Sequence, residues 1–284
     1  MLSSSLLNTV QEYLRMKDKG SGNKDEHSIK SLQDLLNLQH TIKVKKVQTI
    51  ANYTQLVFSK DLKGWNNVFR GNKDSFLNLD EILSDDLKNN NIYPSLDKTF
   101  RVFEMIKPEE VRVIIVGHDP YPGVDDVGHP YANGIPLSIN KYLDLTPSLR
   151  NINSELSNYG HSLEHGDLSG WVSQGIFMIN RSLTVRKSKT GSHTGYWDWL
   201  VLDCINHIVE VRKRLGLFLP IIAFWGAKSR ELAGSIKNVE ILTAPHPSAF
   251  GDTRFSGCGH FSKIDKYLLE NGSSVISWST FLDE

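Results

Sequence analysis

The sequence predicts an α/β protein, a three-layer α/β/α sandwich around a central four-stranded, mainly parallel sheet, preceded by an N-terminal extension. Three observations predict it. Four short apolar runs are rich in β-branched and aromatic residues, and helical patterns separate them. Each run also ends in polar or turn-forming residues. Near-continuous apolar runs suit strands covered on both faces, and their alternation with helices suits a doubly wound sheet.

The elements follow in chain order. Residues 1–50 read as an extension, partly helical or flexible. It has leucines at irregular helical spacing up to Met16, then the charged, Gly/Ser-containing stretch Lys17–Glu26. A second short helical pattern at Leu32, Leu35, Leu36 and Leu38 precedes the basic run Lys43–Lys46. The start lacks a secretory h-region, and Glu12 argues against a mitochondrial presequence. Residues 51–284 read as one α/β domain, its pattern clear from Phe58. The four strand runs are Val111–Gly117, Gly175–Asn180, Pro220–Gly226 and Val239–Ala244, and the clearest helical patterns are Leu149–Tyr159 and Trp197–Arg214.

Composition narrows the function. With 284 residues, 39% hydrophobic and 23% charged, the chain is neither collagen-like nor wholly disordered. No uninterrupted apolar stretch approaches the roughly 20 residues that cross a bilayer. Lys plus Arg is 32 and Asp plus Glu is 32, so any nucleic-acid contact needs a local patch rather than a global basic field. Cys204 and Cys258 are too few for a disulfide framework and suit a reducing, intracellular setting.

In open α/β sheets the ligand crevice lies beyond the carboxyl ends of the strands. The run ends here are His118-Asp-Pro-Tyr-Pro-Gly123, Asn180, Gly226-Ala-Lys-Ser229 and Pro245-His-Pro-Ser248. Together they offer a carboxylate, an amide and an imidazole. An isolated Asp-Pro pair usually caps a turn, and an isolated His before Pro usually lies in a surface loop. The motif order argues otherwise.

Gly117-His-Asp-Pro-Tyr-Pro-Gly123 and the later His246-Pro-Ser248 resemble the family 1 uracil-DNA glycosylases. Three further blocks resemble the same family in the same order: His165–Gly175, Asn180–Arg186 and Gly257–Lys263. The resemblance runs from about Leu56 to the C-terminus and implies flipping of deoxyuridine out of DNA and hydrolysis of its N-glycosidic bond. It implies that Asp119 stabilises the cationic sugar and orients water, and that His246 donates to the leaving uracil. His118, Tyr121, Leu137 and Asn180 would bind the base: Tyr121 as a wall against a 5-methyl group, Asn180 as the reader of uracil's edge, Leu137 over its face. Ser148 and Ser248 would contact phosphates and Phe250 would wedge into the duplex. Arg181, Arg186, Lys187 and Lys189 could attract phosphate, although solvated surface charges are the simpler reading of each.

The departures are specific. His118 stands where the family mostly has Gln, Pro122 where it has His, Leu137 where it has an aromatic, and Ala227 and Gly251 where it has serines. They predict weaker DNA binding with the chemistry retained. No metal or organic cofactor is expected: the His161/His165 pair lacks a third ligand, and its segment reads as a loop. The expected partner is uracil-containing DNA, single- or double-stranded, with no membrane, a monomeric chain, and a protein partner possible through the extension. The expected setting is intracellular, in a DNA-containing compartment, nucleus or cytoplasm, and not secreted. The alternative reading is a replication-accessory DNA-binding protein on a glycosylase scaffold, with weak or no activity. A third reading keeps the reaction and widens the base range beside Leu137.

Overall fold

A computed structural model describes residues 52–89, 91–249 and 254–282. The expected extension, residues 1–50, and the expected wedge Phe250 lie outside them. Among the described residues there are six strands: β1 Ile92–Tyr93, β2 Val113–Gly117, β3 Ile176–Asn180, β4 Val185–Arg186, β5 Ile221–Trp225 and β6 Ile241–Ala244. The main sheet has the order β3-β2-β5-β6, and every pair in it is parallel. Strands β1 and β4 form a separate antiparallel pair that the sequence pattern did not disclose.

All residues of β2, β3 and β5 are buried. Successive strand residues point to opposite faces, so unbroken burial means that both faces are covered. This is the predicted three-layer arrangement. Strand β6 lies at the sheet edge, and its residues are only partly buried or exposed. Each strand starts one or two residues later than its apolar run, because hydrophobicity marks burial and the ladder marks pairing.

The helices also follow local signals. Pro147–Ser157 begins with Thr146, whose side chain accepts from Leu149 N–H at 3.3 Å, and with Pro147 in its first turn. Asp198–Arg214 carries Asp198 in its first turn and Arg212, Lys213 and Arg214 in its last, matching the helix dipole. Tyr53 is fully buried and edge-on to Phe100 and Trp197. Trp65 stacks on Phe177 of β3 at 4.8 Å. That aromatic packing fixes the segments preceding β2 against the sheet.

Because the strands are parallel, the segments after β2, β3, β5 and β6 all leave one edge of the sheet. Those segments carry Asp119, Arg181, Gly226 and His246. Pairing continues past the formal strand ends, since Arg181 N–H donates to Gly117 O at 3.0 Å and Ser182 N–H to His118 O at 2.9 Å. No helix of the described residues is long and apolar enough to cross a membrane.

Candidate active site

Asp119 leaves the first central strand and is held from a distant loop. Gly191 N–H donates to its Oδ2 at 2.6 Å, and His118 Nδ1 faces its Oδ1 at 3.4 Å. Its side chain is 9% exposed. Burial raises its pKa above the ordinary carboxylate value, opposed by the Gly191 N–H and the charge of His118. A buried carboxylate with few partners is poorly solvated as an anion. It therefore interacts strongly with any positive charge that develops beside it.

Three of the residues expected to bind the base meet at one pocket: Tyr121, Leu137 and Asn180 line it together with Pro120, Met178 and Ile179. Asn180 is opposite Gly117 in the parallel ladder, and its amide lies across the glycine. A Cβ at Gly117 would sit 2.3 Å from Asn180 Oδ1, so only glycine leaves room for the amide. Gly117→Ala is expected to displace Asn180 and lower kcat/KM by on the order of 10². Steady-state rates on a uracil-containing oligonucleotide check this.

Tyr121 is held as a rigid wall. Its hydroxyl lies 2.8 Å from Thr146 Oγ1 and donates to Leu137 O at 3.1 Å. Burial pushes the phenol up to about 12, so it remains neutral. Leu137 has φ +63°, a left-handed conformation that costs a leucine about 1–2 kcal/mol. That turn aims its carbonyl at the Tyr121 hydroxyl.

His246 follows the edge strand and packs over Gly226, its Cβ 3.3 Å from where a Cβ on that glycine would lie. Ser248 N–H donates to its Nδ1 at 3.1 Å, and Ser248 Oγ lies 2.7 Å from the same nitrogen. A backbone N–H can only donate, so Nδ1 must accept. Burial, with the charge of His118 second, lowers the ring pKa to about 4. The ring is therefore neutral at pH 7 with its proton on Nε2.

Residues 103–269 match the model of the Uracil DNA glycosylase superfamily. A uracil-DNA glycosylase of Amoebophilus asiaticus is 34% identical over 212 residues, 73% of this chain and 92% of that one. The chain belongs to the uracil-DNA glycosylase superfamily. A uracil-DNA glycosylase of Porphyromonas gingivalis is 33% identical over 226 residues, covering 76% of this chain and 96% of that protein. The crystal structure of mimivirus uracil-DNA glycosylase matches with a TM-score of 0.67 and 27% identity, over 76% of this chain and 86% of its own.

Some expected contacts take a different form. Arg181 is no solvated charge: it pairs with Asp198 at 2.8 and 2.7 Å, donates to Lys228 O at 2.8 Å, and pairs with Glu231 at 2.5 Å. Arg186 pairs with Asp86 at 2.7 Å. Both guanidiniums are thus committed within the fold, because a part-buried charge needs a partner. Lys187 and Lys189 are exposed. Ser148 is 4% exposed and neighbours the Tyr121 phenol, and Ser248 is turned to His246. His161 and His165 do lie in a loop, where His165 Nε2 meets Phe281 O at 3.1 Å.

Sequence reasoning missed the residues that hold the site together. Glu155, fully buried, accepts from Gly257 N–H at 2.5 Å and Gly259 N–H at 2.9 Å, while Asn151 donates to Pro247 O at 2.6 Å. One helix therefore grips both flanks of the segment after His246. His193 Nε2 lies 3.3 Å from Asp86 and its Nδ1 2.9 Å from Thr184 Oγ1, fixing the loop that carries Gly191. Apart from His193–Thr184, these contacts span about a hundred residues of sequence, and no local spacing signals them. Only Thr146 had a visible signal, the Thr-Pro-Ser start of a helix.

Proposed function

We propose that the chain cleaves the N-glycosidic bond of deoxyuridine in DNA through Asp119 and His246, releasing uracil and leaving an abasic site. Its activity is uracil excision in DNA repair, which makes it a hydrolase acting on uracil-containing DNA. The observation that carries the assignment of roles is the fixed tautomer of His246. A neutral ring with Nε2–H outward is a preorganised donor for an oxygen that becomes negative.

The C1′–N1 bond breaks with its electron pair going to uracil, and charge builds on O2, where His246 Nε2–H donates. The sugar becomes cationic, and the Asp119 carboxylate stabilises it. Water adds to C1′ and gives up its proton to Asp119. Asn180 accepts from uracil N3–H and donates to O4, whereas cytosine offers the reverse pattern and leaves both groups unpaired, costing about 1–3 kcal/mol each. Tyr121 excludes a 5-methyl group by position, because attraction alone barely separates bases that differ by one methyl. Leu137 covers the base face without ring stacking, which is worth about 1–3 kcal/mol per base. His118 would contribute through its main chain beside the base, and Ser148, Ser248 and Phe250 through the DNA strand.

The test is incubation with a uracil-containing oligonucleotide, then alkaline cleavage of abasic sites. Strand breaks at the uracil position are expected, and none at stoichiometric protein would favour the accessory role. Tyr121→Ala is expected to release thymine from a thymine-containing strand. No thymine from a folded variant would remove Tyr121 from its place against C5. Monomeric action fits a site whose groups all come from one chain, and the free Cys204 and Cys258 fit an intracellular setting. A protein partner for residues 1–50 remains part of the proposal, checked by pull-down with and without that segment.

A further inference from the structure

The side chain of His118 has no task in the mechanism above, yet its ring is fixed at both nitrogens. Nδ1 faces Asp119 Oδ1 at 3.4 Å, and Nε2 lies 3.2 Å from Thr194 Oγ1. The side chain is 19% exposed, and the main chain at 118 is tied to the sheet through Ser182 N–H. The ring lies beside Gly191, where a Cβ would stand 3.9 Å from His118 Cε1 and 3.5 Å from Thr194 Oγ1. Gly191 has φ +73° and sends its own N–H to Asp119 Oδ2 at 2.6 Å. Gly191 of the segment 191–194 therefore holds one carboxylate oxygen directly, and the imidazole that Thr194 anchors faces the other.

A carboxylate facing a ring nitrogen can only accept, so Nδ1 carries the proton and Thr194 donates its hydroxyl hydrogen to Nε2. The 3.4 Å separation is longer than a formed hydrogen bond, as is common before substrate binds. An aspartate side chain otherwise rotates about its last torsion, which would swing its lone pairs away from the attacking water. We propose that His118, anchored by Thr194, is a positioning residue for Asp119, aligning the carboxylate for water attack and favouring its ionised form. This inference rests on Asp119 acting as proposed above.

The test uses the full chain in single-turnover excision from a single-stranded, uracil-containing oligonucleotide, with Asp119→Asn as reference. His118→Ala is expected to lower the rate by about 10–50-fold with KM within about threefold, the signature of lost alignment rather than lost binding. His118→Asn, whose amide nitrogen can take the place of Nδ1, is expected to recover to within about fivefold. Thr194→Val is expected to cost about 3–10-fold. The acid limb of the pH–rate profile should also move to higher pH in His118→Ala, because the ionised carboxylate loses a stabilising partner. The other titratable groups near the pair are His193, tied to Asp86, and His246. Burial and, second to it, the charge of His118 lower the His246 pKa to about 4, so the double variant His118→Ala/Asp119→Asn, which should lack the displaced limb, assigns that limb to Asp119.

A His118→Ala rate within twofold of the parent with an unmoved limb overturns the proposal. A loss confined to KM also overturns it, making His118 a DNA contact. Should His118→Ala fail to fold, Thr194→Val decides: a rate within twofold and an unmoved limb overturn the proposal. If Asp119→Asn itself retains near-full rate, the failure belongs to the assignment of Asp119, and a slow Asp119→Asn beside a fast His118→Ala separates the two.

Discussion

Asp119→Asn is expected to lower kcat by on the order of 10²–10⁴ while leaving DNA affinity nearly unchanged. The substitution keeps the shape and an oxygen that can accept from Gly191 N–H. On the proposed mechanism it removes the negative charge that stabilises the cationic sugar and the base that takes a proton from water. The pH profile should change with it. In the parent the rate is expected to rise with pH as Asp119 ionises, at a pKa above the ordinary 3.8 because the group is buried. His246 stays neutral above about pH 4, so it contributes nothing to that limb in the neutral range. Asp119→Asn should therefore lack the limb that Asp119 produces.

Stability supplies a second readout for the same variant. A folded-state pKa above the unfolded value means that the native protein binds a proton more readily than the unfolded chain. The contribution of Asp119 to stability is then fully present below the unfolded pKa and is lost as pH rises through the folded one. At pH 7 the ionised, buried carboxylate weighs against folding. The Tm of Asp119→Asn at pH 7 should be at or above that of the parent. A clearly lower Tm would show that Asp119 serves the fold rather than the chemistry.

His246→Ala is expected to lower kcat by about 10²–10³, as for the loss of one preorganised donor to a developing anion. KM should change little, because the neutral ring gains most when charge has built up on uracil. The variant keeps Ser248 N–H but removes what it orients, so no other donor replaces Nε2–H. The acid limb should remain where it is in the parent. A loss appearing only in KM would make His246 a binding residue and would leave the leaving-group anion without an assigned donor.

Much of this was legible before any coordinates. The runs that became β2, β3 and β5 are near-continuously apolar, as strands covered on both faces require, and all their residues are buried. Asn180 ends β3, Asp119 follows β2 and His246 follows β6, so parallel pairing alone brings their segments to one edge. The family blocks extend this, because each is a short stretch whose residue types are tied to one local turn.

What the sequence could not disclose is how charge and orientation are apportioned among groups far apart in the chain. Arg181 and Arg186 read as surface cations, but their partners Asp198 and Asp86 sit 17 and 100 residues away. Ser248 reads as a phosphate contact, but its N–H and hydroxyl meet His246 and settle which ring nitrogen carries the proton. Gly191 and Thr194 belong to no motif of the sequence, but folding places them against Asp119 and His118. Sequence by itself determined the layers, the sheet edge that bears the site and the residue types found there, because burial and turn chemistry are local properties. Only the tertiary structure decided protonation, tautomer and side-chain alignment. Those depend on desolvation and on hydrogen bonds a few ångströms long, between atoms that are neighbours in space and strangers in sequence.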